Sequence, residues 1–207
     1  MKLEQSPQEN KNQRDAYLNP EEGKEKALDL SKILDKHKDK RVLVLGSPSS
    51  GKSTLLQHLP NCVDMDTVFD TMPEDLKRRV LHQENPFMFL NGDKKTVKYT
   101  ERHFIKDDIE SKDFLKQTSD ELTEYINANL KIKPGTPVFG TNLIDSDIVI
   151  YLNISEEYLE SRITSRNIKT HRHLQKDRVF AIKKLIEDDI QIAKQKGLEV
   201  VEFQIIT

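Results

Sequence analysis

Residues 41–54 read RVLVLGSPSSGKST, and the reading of the whole chain starts there. Val42, Leu43, Val44 and Leu45 form an unbroken apolar run, the pattern of a parallel strand with helices on both faces. Directly after it Gly46, Ser47, Pro48, Ser49, Ser50, Gly51, Lys52 and Ser53 spell G-x-x-x-x-G-K-[ST], with Thr54 following. A strand before and a helix after give this pattern its physical sense. Backbone N–H groups of Ser49 to Ser53 can then converge on phosphate oxygens, and the helix start adds partial positive charge. Lys52 is expected to reach the β- and γ-phosphates and the Ser53 hydroxyl to coordinate magnesium. The ligands this stretch predicts are ATP and Mg2+.

Upstream, Asn19-Pro20-Glu21-Glu22 supplies a cap, a first-turn proline and two acids, which open a helix. Leu30, Ile33 and Leu34 give it an apolar stripe, and it closes on the charged run KHKDK. Residues 1–18 are polar and poor in branched apolar side chains, so a disordered tail is expected. Downstream, a helix from about Lys52 to His58 leads to a short strand, Cys62 to Met65. Thr71 to Glu74 and Thr118 to Glu121 resemble capping boxes opening two further helices, the second stopped by Gly135. Pro137 to Gly140 and Ile148 to Leu152 read as strands. Ser155-Glu156-Glu157 starts a helix, and the polar stretch Asn167 to Lys176 interrupts before a long helix carrying Val179, Ile182, Ile186, Ile190 and Ala193. Gly197 ends that helix. Leu198 to Phe203, with Glu199 and Glu202 interspersed, suits a sheet edge. Strands alternating with helices predict an α/β fold with a parallel sheet covered on both sides.

Composition narrows the function classes. Thirty-three basic and 35 acidic residues leave a formal net charge of -2, so no global field attracts nucleic acid or an anionic membrane. Cys62 is the only cysteine, which excludes an internal disulfide and a zinc site built on cysteines. No apolar run approaches the roughly 20 residues needed to span a bilayer, and the N-terminal residues carry no apolar signal stretch. A cytoplasmic protein without membrane attachment is expected.

Two constellations join the phosphate loop. Asp64 and Asp66 alternate at the end of the second predicted strand, so both carboxylates are expected on one side of it, beyond the carboxyl ends of the strands. One could hold magnesium and the other accept the proton of an attacking hydroxyl; alternatively they are two exposed turn-forming acids. Arg162 and Arg166 lie four apart on one helix face, with Arg172 and Arg178 following. Converging guanidinium groups would stabilise charge on a phosphoryl group in transfer; the alternative is a solvated face with pairs such as Tyr158 and Arg162. His171 and His173 have no carboxylate or cysteine at ligand spacing and read as loop residues.

On GSPSSGKST, VDMD and DIVIYLNISEEYLESRITSRN, the chain from Arg41 to Phe203 resembles the small P-loop kinases, the nucleoside and nucleoside-monophosphate kinase group with shikimate kinase as a relative. The resemblance implies a P-loop NTPase sheet of five parallel strands in the order 2-3-1-4-5. It also implies a single domain over residues 19–207, an acceptor-binding helical insertion at about 70–133 and a lid at about 166–178. Asp64 would position magnesium, Asp66 would contact the acceptor, Arg162 would lie against adenine, and Arg172 or Arg178 would touch phosphate from the lid. The chain departs from that family at Phe139-Gly140-Thr141-Asn142, where shikimate kinases have a triple-glycine turn, and it lacks the DGFPR segment of adenylate kinases.

The leading expectation is an ATP-dependent phosphotransferase acting on a small acceptor such as a nucleoside or nucleotide. A polynucleotide 5′-kinase is the second, with Arg78, Arg79, Lys94, Lys95 and Lys98 as backbone contacts, though nucleic acid is the less favoured partner. A nucleotide-binding regulatory module without transfer activity is the third. Guanine-specific and motor-type readings lack their signatures, NKxD and a strand ending in Asp-Glu.

Overall fold

The computed structural model describes residues 20–77, 109–170, 174 and 176–205. The expected tail, residues 1–18, lies outside these. So do Arg172, both loop histidines and the basic residues Arg78, Arg79, Lys94, Lys95 and Lys98. The chain divides into two compact units, Met1–Met65 with Ile132–Thr207, and Asp66–Lys131.

The first unit holds five parallel strands in the order β2-β3-β1-β4-β5. They are β1 (Val42–Leu45), β2 (Val63–Asp64), β3 (Val138–Gly140), β4 (Ile148–Asn153) and β5 (Glu199–Gln204). Every residue of β1 is buried, as the central place of an all-apolar strand requires, and β5 with its two glutamates is the edge. Helices α1 (Pro20–Lys36) and α2 (Lys52–His58) flank β1 in sequence, and α4 (Glu156–Thr170) and α5 (Lys176–Gln195) follow β4.

Alternation along the strands sorts the core. Val42, Val44, Ile148, Ile150 and Leu152 point to one side, where they meet Ala27, Leu30 and Leu34 of α1, Leu55 of α2, and Leu159 and Ile163 of α4. The other side bears Leu43, Leu45, Val149 and Tyr151, all buried. There α5 is fastened to the sheet: the Tyr151 hydroxyl donates to Glu187 Oε1 at 3.3 Å, Lys183 pairs with the same oxygen, and Lys194 meets Glu202 at 3.1 Å. Burial, and then the neighbouring Glu187, push the Tyr151 phenol well above its ordinary value. Nothing in the sequence reading anticipated this cluster; a tyrosine in an otherwise aliphatic strand is its one local trace.

Four expectations need correction. The second strand is Val63–Asp64, and Met65–Asp70 is a 3-10 helix, so Asp66 does not alternate with Asp64 along a strand. The cause is Met65, 2% exposed, which fills the space over Gly140: a Cβ on Gly140 would lie 2.4 Å from both Met65 Sδ and Cε. Thr118 opens no helix; it is buried inside α3 (Ile109–Asn129), where Thr118, Leu122 and Ile126 form one buried stripe at a spacing of four. That helix ends at Asn129, and Gly135 instead sits in the following turn at φ 73°. Finally, α4 runs on to Thr170, past Asn167 where the polar interruption was expected to begin, while Arg166 and Arg178 are helical as expected.

The second unit contains α3, part of the 3-10 helix and one described helical turn at residues 74–77, the last expected from the Thr71–Glu74 box. Tyr125 of α3 donates its hydroxyl to Thr71 O at 2.6 Å. Among the described residues no helix is long and apolar enough to cross a membrane.

Candidate functional site

At the carboxyl end of β1 the chain continues the ladder by one bond, Gly46 N–H to Gly140 O at 3.1 Å, and then curls back. The curl is tight enough that a Cβ on Gly46 would lie 2.4 Å from Ser50 Oγ and 3.1 Å from Leu152 Cδ1. Ser50 N–H closes the loop on Ser47 O at 3.1 Å. Two residues take left-handed backbone, Ser49 at φ 66° and Gly51 at φ 101°. Gly51 is the N-cap of α2, and no side chain caps that helix. With only seven residues α2 has little macrodipole, so its contribution is local: first-turn N–H groups that lack helical partners.

The Lys52 ammonium lies across the loop and donates to Gly46 O at 2.5 Å and Ser47 O at 3.0 Å. The same loop holds buried polar atoms with no partner: the hydroxyls of Ser47, Ser49 and Ser50. Ser47 is 2% exposed and Ser50 0%. Buried polar groups are nearly always satisfied, so water or a polar ligand completes such a set. Hydroxyl donors and an ammonium fit an anion with several oxygens.

From α4, Arg162 reaches the same loop and donates Nη1–H to Ser49 O at 3.2 Å. Its guanidinium lies over the Tyr158 ring, 4.8 Å from the centroid, and its Nε and Nη2 are buried without partners. Burial draws this guanidinium below its ordinary value, with Tyr158 opposing, yet an arginine remains charged at neutral pH. Ser155 starts α4 as its sequence promised, its Oγ accepting from Tyr158 N–H at 3.3 Å. Arg166 is half-buried one turn after Arg162, and Arg178 is buried near the start of α5. Asn167 clasps the connection between α4 and α5 from both sides, its Oδ1 accepting from Leu174 N–H at 2.7 Å and its Nδ2 donating to Leu174 O at 3.0 Å. Only an asparagine at the edge of a polar stretch hints at that clasp in the sequence.

Asp64 is half-buried at the end of β2. The register pairs both Asp64 and Val44 with Phe139, so Asp64 sits level with Val44 of β1, two residues before the loop begins. Asp66 is exposed and opens the second unit. Among the described residues no group of three or more His, Cys, Asp or Glu is placed to hold a metal by itself. Ser53 and Asp64 offer a hydroxyl and a carboxylate, oxygen donors of the kind magnesium takes alongside water and phosphate oxygens. A cavity of about 170 Å³ lies elsewhere, toward the amino ends of the strands, among Leu34, Val42, Leu59, Cys62 and Pro137. Burial pushes the Cys62 thiol up to about 11, so it is protonated at neutral pH, and no residue of the loop lines that cavity.

Compared with models of known protein families, the chain matches none, and no curated protein matches it in sequence.

Proposed function

We propose that this protein is a P-loop phosphotransferase that binds ATP with magnesium at Gly46–Thr54 and passes the γ-phosphate to a small acceptor such as a nucleoside or nucleotide. The observation that carries the reading is the turn after β1, where Lys52 and three buried, unpartnered serine hydroxyls gather at the end of the central strand of a 2-3-1-4-5 sheet. Ligands of open parallel sheets bind beyond the carboxyl ends of the strands, which is where this turn lies. Lys52 and the serine hydroxyls would bind and neutralise the phosphates. Ser53 and Asp64 would hold Mg2+, which supplies charge neutralisation on the transferring phosphoryl group. Asp66 would orient the acceptor hydroxyl, and Arg166, Arg172 and Arg178 would add positive charge from the helices and their connection.

One observation favours a second reading, a nucleotide-binding module without transfer. Asp66 is exposed and lies in the 3-10 helix Met65–Asp70 instead of sharing a strand face with Asp64. Titration calorimetry with ATP, with and without magnesium, tests the binding claim. Transfer of labelled γ-phosphate to nucleosides, nucleotides and oligonucleotides then separates the readings. Saturable ATP binding with transfer to a small acceptor is the expected result. Binding with no transfer to any acceptor would select the module, and transfer to oligonucleotides alone would select a polynucleotide kinase. An absence of nucleotide binding would refute all three.

A further inference from the structure

Ser49 is the one residue of the loop whose backbone is costly for its side chain. At φ 66° it sits in the left-handed region, which a residue with a Cβ populates about tenfold less readily than its ordinary conformations. The turn itself favours that conformation: Ser50 N–H bonds Ser47 O across Pro48 and Ser49, and a turn with proline at its second position takes a positive φ at its third, though at a cost for a residue other than glycine. The group that touches Ser49 is Arg162 Nη1, on the Ser49 carbonyl. Arg162 is itself immobilised. It is 6% exposed, stacked on Tyr158 one turn earlier, and flanked along α4 by the core residues Leu159 and Ile163.

We infer that Arg162 is a positioning residue, which braces Ser49 in its left-handed conformation from behind and so holds the phosphate loop in its receiving shape. This differs from the contact with adenine that the family resemblance implies for Arg162. It rests on the nucleotide-binding reading only for its consequence on affinity; the brace itself is a property of the ligand-free protein. In that state Arg162 spends Nη1 on the loop while its Nε and Nη2 stay buried without partners.

The test pairs Arg162→Met, which keeps a long buried stem, with Ser49→Gly, which makes the left-handed conformation free of side-chain strain. Two quantities are read: hydrogen exchange of the Ser50 amide without ligand, and ATP affinity. With only the turn bond left the competent loop loses population, so Arg162→Met should speed Ser50 exchange and weaken ATP binding by up to about tenfold. Adding Ser49→Gly should return both to within about threefold of the parent, since glycine needs no brace. A double variant as impaired as Arg162→Met alone would overturn the proposal, because Arg162 would then act on the ligand directly. Unchanged Ser50 exchange in Arg162→Met would overturn it too. Should Arg162→Met not fold, Arg162→Lys keeps the charge without the stacked plane, and the same rescue by Ser49→Gly decides. If the parent protein binds no ATP, the nucleotide reading fails while the exchange measurement still judges the brace.

Discussion

The two ends of β1 treat polarity in opposite ways. Ahead of the strand, Arg41 sits at the surface and every arm of it is used: Nη1 to Asp145 at 2.6 Å, Nη2 and Nε to Asp147 Oδ1 at 2.7 and 3.1 Å, and the backbone N–H to Asp147 Oδ2 at 2.8 Å. Beside it Lys40 pairs with Glu199 at 2.9 Å. After the strand, polar atoms that are buried go without partners: Ser47, Ser49 and Ser50 Oγ, and two nitrogens of Arg162. One buried hydroxyl near the first end, Ser146 Oγ, shares that condition. Stability alone would pair the buried groups first, because their desolvation is the costly part, and leave the solvated ones to water. The inversion accords with the proposed function, in which the amino end ties strands together and the carboxyl end receives a ligand.

Replacing Lys52 is the severest challenge to that contrast. If its bonds to Gly46 O and Ser47 O were merely another tie, Lys52→Ala would lower the melting temperature and leave ATP affinity alone. If the ammonium serves the phosphates, transfer should fall by about 100- to 1,000-fold, the scale for removing one preorganised charge stabiliser, with the fold intact. Circular dichroism together with calorimetry and a transfer assay distinguishes the two outcomes.

A somewhat smaller loss is expected for Asp66→Asn, about 100-fold in transfer with ATP affinity kept, the usual scale for a positioned acid or base. Asp64→Asn should instead raise the magnesium concentration needed for half-maximal rate. Steady-state rates over a magnesium series compare them. Near-parental transfer by Asp66→Asn would confine the chemistry to the first unit, or remove it altogether in favour of the binding module.

What was legible in the sequence follows how far each signal had to travel. Four consecutive apolar residues, a glycine-rich turn and a helix start are local, and β1, the loop and α2 emerged with the bounds their residues suggested. The edge place of β5 was written in Glu199 and Glu202. Met65 misled because an apolar residue after Val63 and Asp64 reads as more strand; only Gly140, which comes from a different strand, shows that the chain must turn there. Thr118 misled because a capping box and one turn of a helix face share the spacing of three to four. Arg166 and Arg178 were legible as helical residues, the first four after Arg162 on one face and the second beside Val179 and Ile182 of the long helix. The bond from Arg162 to Ser49 O spans 113 residues and ends on a backbone carbonyl, so no pattern of side chains could announce it.

Gly140→Ala probes the wall beneath the site. The new methyl would meet Met65 Cβ at 2.9 Å and its sulfur at 2.4 Å, so Met65 must move or β2 must separate from β3. Overpacking of this kind costs about 1–3 kcal/mol, which denaturant unfolding will resolve. A shorter partner, Met65→Ala in the same chain, should recover part of the lost stability by making room for the new methyl. Equal stability of Gly140→Ala and the parent would mean that Met65 yields freely and does not fix the end of β2.

The smallest effect belongs to the paired end, and its sign follows from linkage. The Arg41 side chain, and then the Arg41 backbone N–H, hold the Asp147 carboxyl below its ordinary value. A carboxyl whose folded value is depressed stabilises the native state fully above its unfolded value, about 4, and loses that contribution as pH falls from there toward the folded value. Asp147→Asn removes the charge while keeping an acceptor for the Arg41 backbone. The melting temperature of the variant should therefore lie slightly below the parent's at pH 7, and the gap should close as pH falls below about 4. The gap should also narrow in high salt, because Asp147 and Arg41 are solvent-accessible and a Debye length shrinks to roughly 3 Å at 1 M. ATP affinity should not follow either change, since the unsatisfied atoms of the loop lie at the other end of β1. A difference that persists at pH 3 would show that Asp147 acts through packing and not through its charge. Loss of ATP binding in step with the melting temperature would show that the two ends of the strand are coupled.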